Sequence, residues 1–277
     1  MKQFVILAIL FLFFGLIAVV LMWPEQDPCA NGAKDAGEVG VDCGGFCAKA
    51  CPLPERPDGV KEVEVNWSTF VQDGANAYDF VASLSNDNES WGVASVDYAF
   101  TYFDAAGNEL GRKIGKASLM PKGSTGNSSQ QYVIEQNVIS NVAPAKVDFK
   151  LSHFIWQEVE GAVDVANLNE GVIAINGKDF SVERVNKYYM ASGVTQNKSK
   201  YDFVYVNIAV VVYGEDNKVL SARKTNQKTM AAGDGWAFFV PFPNLKVAES
   251  DIAWVDYRAT TDVFDQNNFM KEYRSAQ

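Results

Sequence analysis

The sequence predicts an all-β protein: two tandem antiparallel immunoglobulin-like β-sandwiches, preceded by one transmembrane helix and a small disulfide-stapled segment. Three features carry that prediction. An uncharged apolar run opens the chain, all four cysteines fall in one short stretch after it, and the remainder repeats itself at a spacing of about 110 residues. The expected boundaries are 1–23 for the anchor, 24–59 for a cysteine-rich module and proline-rich stalk, 60–160 and 161–265 for the two sandwiches, and 266–277 for a polar tail.

Residues 4–22, FVILAILFLFFGLIAVVLM, are nineteen apolar or small residues without a charge. As a helix they would span roughly 28 Å, close to the ~30 Å hydrocarbon core of a bilayer. A cleaved signal peptide has a shorter apolar core and a small-x-small cleavage site; this run ends instead in Val-Val-Leu-Met-Trp-Pro, so an uncleaved signal anchor is expected. Lys2 and the α-amino group precede the run, Glu25 and Asp27 follow it, and no Lys or Arg appears again until Lys34. The positive-inside bias then places the N-terminus in the cytoplasm and the bulk of the chain outside, with Trp23 at the interface.

Cys29, Cys43, Cys47 and Cys51 leave thirteen, three and three residues between successive members. An even number in a short exported stretch reads as two disulfides, with three connectivities open. A structural zinc site is the competing reading, although its C-x2-C or C-x4-C knuckles are missing. Asp35, Glu38 and Asp42, with the Asn31 side chain, bring hard oxygen donors into the same loop. Calcium takes six to eight such oxygens, so a calcium site is one reading and solvated turn-capping acids the other. No further cofactor is expected. After Cys51, Pro52, Pro54 and Pro57 make an extended, semi-rigid spacer.

The stretch from Cys29 to Cys51 resembles a module of uncharacterised bacterial envelope proteins with the pattern C-x-NG-x-x-D-x-x-E-x-GVDCGG-x-C. Asn31, Gly32, Asp35, Glu38, Gly40, Val41, Asp42, Gly44 and Gly45 match it in register. The resemblance implies an envelope location and supplies no activity.

Downstream, Phe80–Asn86 followed by Trp91–Leu110 is echoed by Met190–Asn197 followed by Tyr201–Leu220. Met120-Pro-Lys-Gly123 corresponds to Met230-Ala-Ala-Gly233, and Val147-Asp-Phe-Lys150 to Val255-Asp-Tyr-Arg258. A unit near a hundred residues is a repeated domain, too long for a solenoid repeat. Val96, Tyr98, Phe100 and Tyr102 alternate with smaller or polar residues, as do Val204, Val206, Ile208, Val210 and Val212. That period predicts strands with one buried face. Turn signals separate them, among them Asp104–Asn108, Gly214–Asn217 and Pro121–Gly123. Six or seven such strands per repeat predict the sandwich. The pattern also resembles the FxLYD-like and late-embryogenesis-like sandwiches of bacterial surface proteins. With the anchor and cysteine module, nearly the whole chain looks like one uncharacterised membrane-anchored family.

Chemistry-bearing patterns are few. The single histidine, His153, leaves little room for Ser-His-Asp, Cys-His or multi-histidine metal sites and is expected to be an ordinary strand residue. No phosphate-binding glycine loop or nucleophile elbow is present. A net charge of −10 disfavours nucleic acid as a partner. Trp91, Trp156, Trp236 and Trp254 invite a stacking platform, yet Trp91 with Tyr201 and Phe149 with Tyr257 are equivalent under the repeat, which favours packing. The expected function is a non-enzymatic interaction or scaffold protein of the cell envelope, bound to the membrane through residues 4–22 and to another envelope protein. A glycan- or calcium-binding surface module is the alternative. The 158–168 connection is neither Gly/Ser-rich nor Pro-rich, which predicts a semi-rigid end-to-end pair with Trp156 or Val163 at the junction.

The disulfide reading has a direct check. The exported chain should contain no alkylatable thiol until it is reduced; four reactive thiols together with bound zinc would replace the disulfides with a metal knuckle.

Overall fold

The structure is a computed structural model that describes residues 27–34, 36, 41–43, 47–49, 55–122, 129–159, 181–185 and 188–270, with 181–185 described as backbone alone. The expected anchor over 4–22 lies outside the described residues. Residues 1–53 and 54–277 are two separate compact units. The second unit contains the repeat, and it is all-β with antiparallel pairing throughout.

Its first half comprises β1 (Glu64–Gln72), β2 (Ala77–Ser85), β3 (Trp91–Phe103), β4 (Glu109–Leu119), β5 (Gln130–Ile139) and β6 (Lys146–Glu158). These form two three-stranded sheets of order β1-β2-β5 and β4-β3-β6. The second half comprises β7 (Ser181–Val185), β8 (Tyr188–Gln196), β9 (Phe203–Tyr213), β10 (Val219–Met230), β11 (Gly235–Phe242) and β12 (Trp254–Thr260). Its sheets run β7-β8-β11 and β10-β9-β12, the same topology advanced by six strands. Each half closes its two sheets over one core, built from Phe80, Leu84, Phe100 and Tyr102 in the first and from Phe203, Ile208, Phe238 and Phe242 in the second. The alternation read in β3 is observed, with Val96, Tyr98, Phe100 and Tyr102 inward. In β9 the phase slips at its start: Phe203 enters the core, Val204 is 40% exposed, and the inward set resumes at Val206.

A buried asparagine fixes the same corner in both halves. Asn86 donates to the carbonyls of Trp91 and Met120, and its Oδ1 accepts from Asn88. Asn197 donates to the carbonyls of Tyr201, Met230 and Ala231, and its Oδ1 accepts from Ser199. One amide thus ties the β2–β3 connection to the end of β4, and its counterpart ties β8–β9 to the end of β10. Buried backbone carbonyls need such donors, which is why an amide side chain stands at both places.

The halves are stacked by their sheet faces, in contrast to the end-to-end pair expected from the linker. β2 is buried along both faces from Tyr78 to Leu84: Tyr78, Phe80, Ala82 and Leu84 enter the first core, while Val81 packs with Ile134 against Val211, Tyr213 and Ala222 of the second half. Four sheet layers therefore follow one another, with β1-β2-β5 and β10-β9-β12 in the middle. Trp156 packs on the first half's own core beside Phe154, and Val163 lies outside the described residues. Met120, from the end of β4, enters the core of the second half, where Thr261 N–H points at its sulfur. Gly92 leaves the room that the Phe264 ring occupies. The second half also runs past Asp265, where a polar tail is expected: Asn268 is buried and bonds Thr261 and Asp262, and Phe269 packs on Tyr201 and Phe203.

Polar groups are sealed into this seam. Arg223 on β10 pairs with Asp73 and lies 3.5 Å from Asp79. Asp79 is fully buried, and its other oxygen accepts the Asn137 N–H at 2.9 Å. Beside it, Tyr132 donates to Asp256 at 2.6 Å and lies 3.0 Å from the Tyr213 hydroxyl, while Arg258 pairs with Asp256 at 3.1 Å. Burial raises the carboxyls of both Asp79 and Asp256 above the ordinary carboxylate range, and burial followed by the nearby Asp256 charge pushes the Tyr213 hydroxyl up to about 12.

Two outcomes follow from this bonding. Asn86→Ala and Asn197→Ala should each lower stability by about 2–4 kcal/mol in denaturant titrations, because several buried carbonyls lose their donor; a loss below about 0.5 kcal/mol would show that the corner holds without it. For Asp79, a raised folded-state pKa means that its stabilising contribution is complete below the unfolded value near ~3.9 and is lost as pH rises through the folded value. Asp79→Asn holds the neutral form and keeps the acceptor for Asn137, so the variant should gain stability relative to the wild type as pH rises from about 4. A variant that loses ground over that range would show that the Arg223 pairing outweighs burial.

Candidate functional site

The cysteine module is a closed loop. Cys29 and Cys47 form a disulfide with Cα atoms 5.5 Å apart, and Cys43 is also disulfide-bonded, to a partner outside the described residues. The Asp42 carboxylate accepts the backbone N–H groups of Asn31 and Gly32 at 2.8 to 3.0 Å, and the Asn31 side chain accepts the Ala33 N–H. Asp42 itself sits at φ 51°, a left-handed turn that this carboxylate clamps. Asp35 and Glu38, the other two candidate calcium ligands, lie outside the described residues, as does Cys51. Among the described residues no group of three or more His, Cys, Asp or Glu is arranged to hold a metal ion.

In the stacked unit a cleft of about 690 Å³ opens at the seam. Its first wall comes from the β3–β4 sheet and β5, with Ser95, Tyr98, Lys116 and Gln136; its second comes from β9, β10 and the end of β12, with Tyr205, Asn207, Lys224 and Asn226. These residues are far apart in sequence and meet only because the sheet faces stack. The lining is rich in hydroxyl, amide and ammonium groups. Tyr98 donates to Glu135, and its hydroxyl is pushed up by burial and by that carboxylate, so it remains a phenol at neutral pH. Lys116 pairs with Asp97 at 2.6 Å; the same carboxylate contacts His153 Nδ1 at 2.8 Å and is held below the ordinary carboxylate range by those two partners. Asp262, the one carboxylate among the described lining residues, accepts the Phe264 and Asp265 N–H groups. Lys224 is exposed and has no acidic partner among the described residues. Such a wall presents several hydrogen-bond donors toward the cleft.

His153 is a surface residue of the edge strand β6 at φ 56°, a left-handed position where the pairing with β3 shifts register, and its Nδ1 lies 2.8 Å from Asp97. The four tryptophans singled out in the sequence do not share a face. Trp156 packs against the first core, Trp236 against the second, and Trp254 stacks on Tyr213 at 4.0 Å. The carbonyls of Trp91 and its equivalent Tyr201 are the ones bound by Asn86 and Asn197. Sequence reasoning did not find Asp79, Arg223 and Tyr132. A signal existed for Asp79: an acid at the second position of the otherwise apolar and small run Tyr78–Leu84.

No family model matches the chain, and no curated protein matches it. Among solved structures, a β-glucuronidase of Bacteroides uniformis is 16% identical over 60% of this chain and 21% of its own, with a TM-score of 0.21. A red sea bream transglutaminase is 10% identical over 72% of this chain and 29% of its own, with a TM-score of 0.22. The chain thus spans less than a third of the length of either, and at such scores neither likeness bears on its activity.

Proposed function

We propose that this chain is a membrane-anchored extracytoplasmic interaction protein of the cell envelope, with no catalysis of its own. The first 23 residues hold it in the bilayer, the disulfide-closed module and prolines form a short stalk, and two immunoglobulin-like sandwiches present the docking surface. The observation that supports this most is the buried seam, which fuses the two halves into one body and holds the walls of the cleft at a fixed separation. Preorganisation of that kind reduces the ordering cost of binding a partner. The donor-rich lining of the cleft suits the backbone and acidic side chains of an extended protein segment. A glycan-binding module would favour a row of exposed aromatic rings on one face, and the tryptophans are dispersed. A calcium role for Asp35, Glu38 and Asp42 belongs to the same alternative.

A photo-crosslinking residue at Asn226, in the cleft, should capture a discrete envelope protein in native membranes, while the same residue at Glu215, in the exposed turn between β9 and β10, should not. A tag after Gln277 should be cleaved by protease added outside intact cells, or outside spheroplasts where a wall intervenes. Protection of that tag in cells with a demonstrably intact membrane would overturn the orientation and with it the envelope role.

A further inference from the structure

The seam inside the chain joins two unlike faces: the outer face of β1-β2-β5 from one repeat and the outer face of β10-β9-β12, the counterpart of β4-β3-β6, from the next. Such a contact is heterologous, and among the described residues it leaves one face of each kind uncovered. On the second half the unused face belongs to β7-β8-β11; on the first half it belongs to β4-β3-β6.

The registers identify what stands there. In the first half Val81 lies opposite Ile134, and both are sealed into the seam at 0% and 3% exposure. Counting from the equivalent asparagines, the matching pair in the second half is Ser192 opposite Phe239, and Phe239 is 63% exposed. On the other face, Val211 and Ala222 receive Val81 and Ile134, and Lys224 lies opposite Ala209 with its N–H on Gln136. Their counterparts in the first half are Thr101 opposite Arg112, and Ala99 opposite Ile114, which at 76% is the most exposed large apolar residue described. The residue corresponding to Gln136 is Pro241, two positions after Phe239. Where the seam sets Lys224 beside Gln136, its repetition between chains would set Ile114 beside Pro241 and Phe239, and Phe239 over the stem and guanidinium of Arg112. Both contacts are favourable for apolar and cation–aromatic surfaces.

From this we infer that the chain associates with a second copy of itself, head to tail, the β7-β8-β11 face of one docking on the β4-β3-β6 face of the next. The contact repeats the internal seam in weaker form. Lys116, Asp97, His153, Lys146 and Asp148 surround the receiving face and are paired among themselves, and no counterpart of the Arg223 cluster is formed, because Met190 stands where the first half has Asp79. Because the contact is open-ended, association does not stop at a dimer. This inference concerns residues 54–277 alone and stands whether or not the proposed envelope role does.

Sedimentation of the full chain in detergent, at rising concentration, reads it directly. Wild-type average mass should climb past twice the mass of a single chain without a plateau. Phe239→Glu and Ile114→Glu change exposed residues, so each should keep its melting temperature and each alone should stay at single-chain mass. Mixed in equal amounts they should form a dimer and nothing larger, since one supplies an intact Phe239 face and the other an intact Ile114 face. A wild type that stays single over the whole range, an Ile114→Glu variant that still dimerises while Phe239→Glu does not, or a mixture that fails to pair overturns the head-to-tail contact.

Discussion

The central strand β2 is covered on both faces, and the arrangement of residues 54–277 depends on that burial. Its inward residues hold the first core; of its outward ones, Val81 packs on the second half and Asp79 faces Arg223, while the buried Ser83 hydroxyl accepts from Asn66 and Gln130. A strand that is apolar on one face and carries a carboxylate on the other needs a partner for the charge, and Arg223 on β10 supplies it. The seam thus combines apolar contact, which supplies the bulk of the attraction, with buried ion pairs, which tolerate little change in how the layers meet. The cleft, the position of Met120 in the neighbouring core and the two uncovered sheet faces all follow from this stacking.

The repeat and the strand type were legible because they are written in local pattern. Period-two alternation marks a buried face whichever fold contains it, and the paired Asn86 and Asn197 lie at the ends of the segments whose likeness revealed the repeat. The stacking was not legible, for a physical reason. Asp79 and Ser83 are polar residues at alternate positions, which is also how a solvated face is written, and only tertiary contact distinguishes a charge facing water from one facing Arg223. In β9 the three successive residues Val210, Val211 and Val212 are all buried and mark a strand covered on both sides, but in a run of valines periodicity cannot separate the two faces.

The candidate site was legible in part. The disulfide segment is local in sequence, and the Cys29–Cys47 bond accords with its reading as a stapled loop. Asp42 shows how an acid that resembles a metal ligand can serve a turn, because a carboxylate with two backbone N–H groups in reach satisfies itself. The cleft was out of reach, since its residues run from Ser95 to Asp262 and individually resemble any polar strand surface. Repetition also has a limit as a guide: Met120 and Met230 correspond in sequence and are both buried in the second half's core.

The claim on which the account rests is that the two halves are one rigid body joined through their sheet faces. Spin labels at Lys113 on β4 and at Ala237 on β11 would stand on the two outermost layers, so the distance between them spans the whole stack. Pulsed dipolar spectroscopy on the labelled chain diluted into excess unlabelled chain, so that only distances within one chain are read, should give a single narrow distribution that broadens when Arg223 is replaced together with Val211. A broad distribution in the unaltered chain would mean that the halves move independently and that the seam does not hold them.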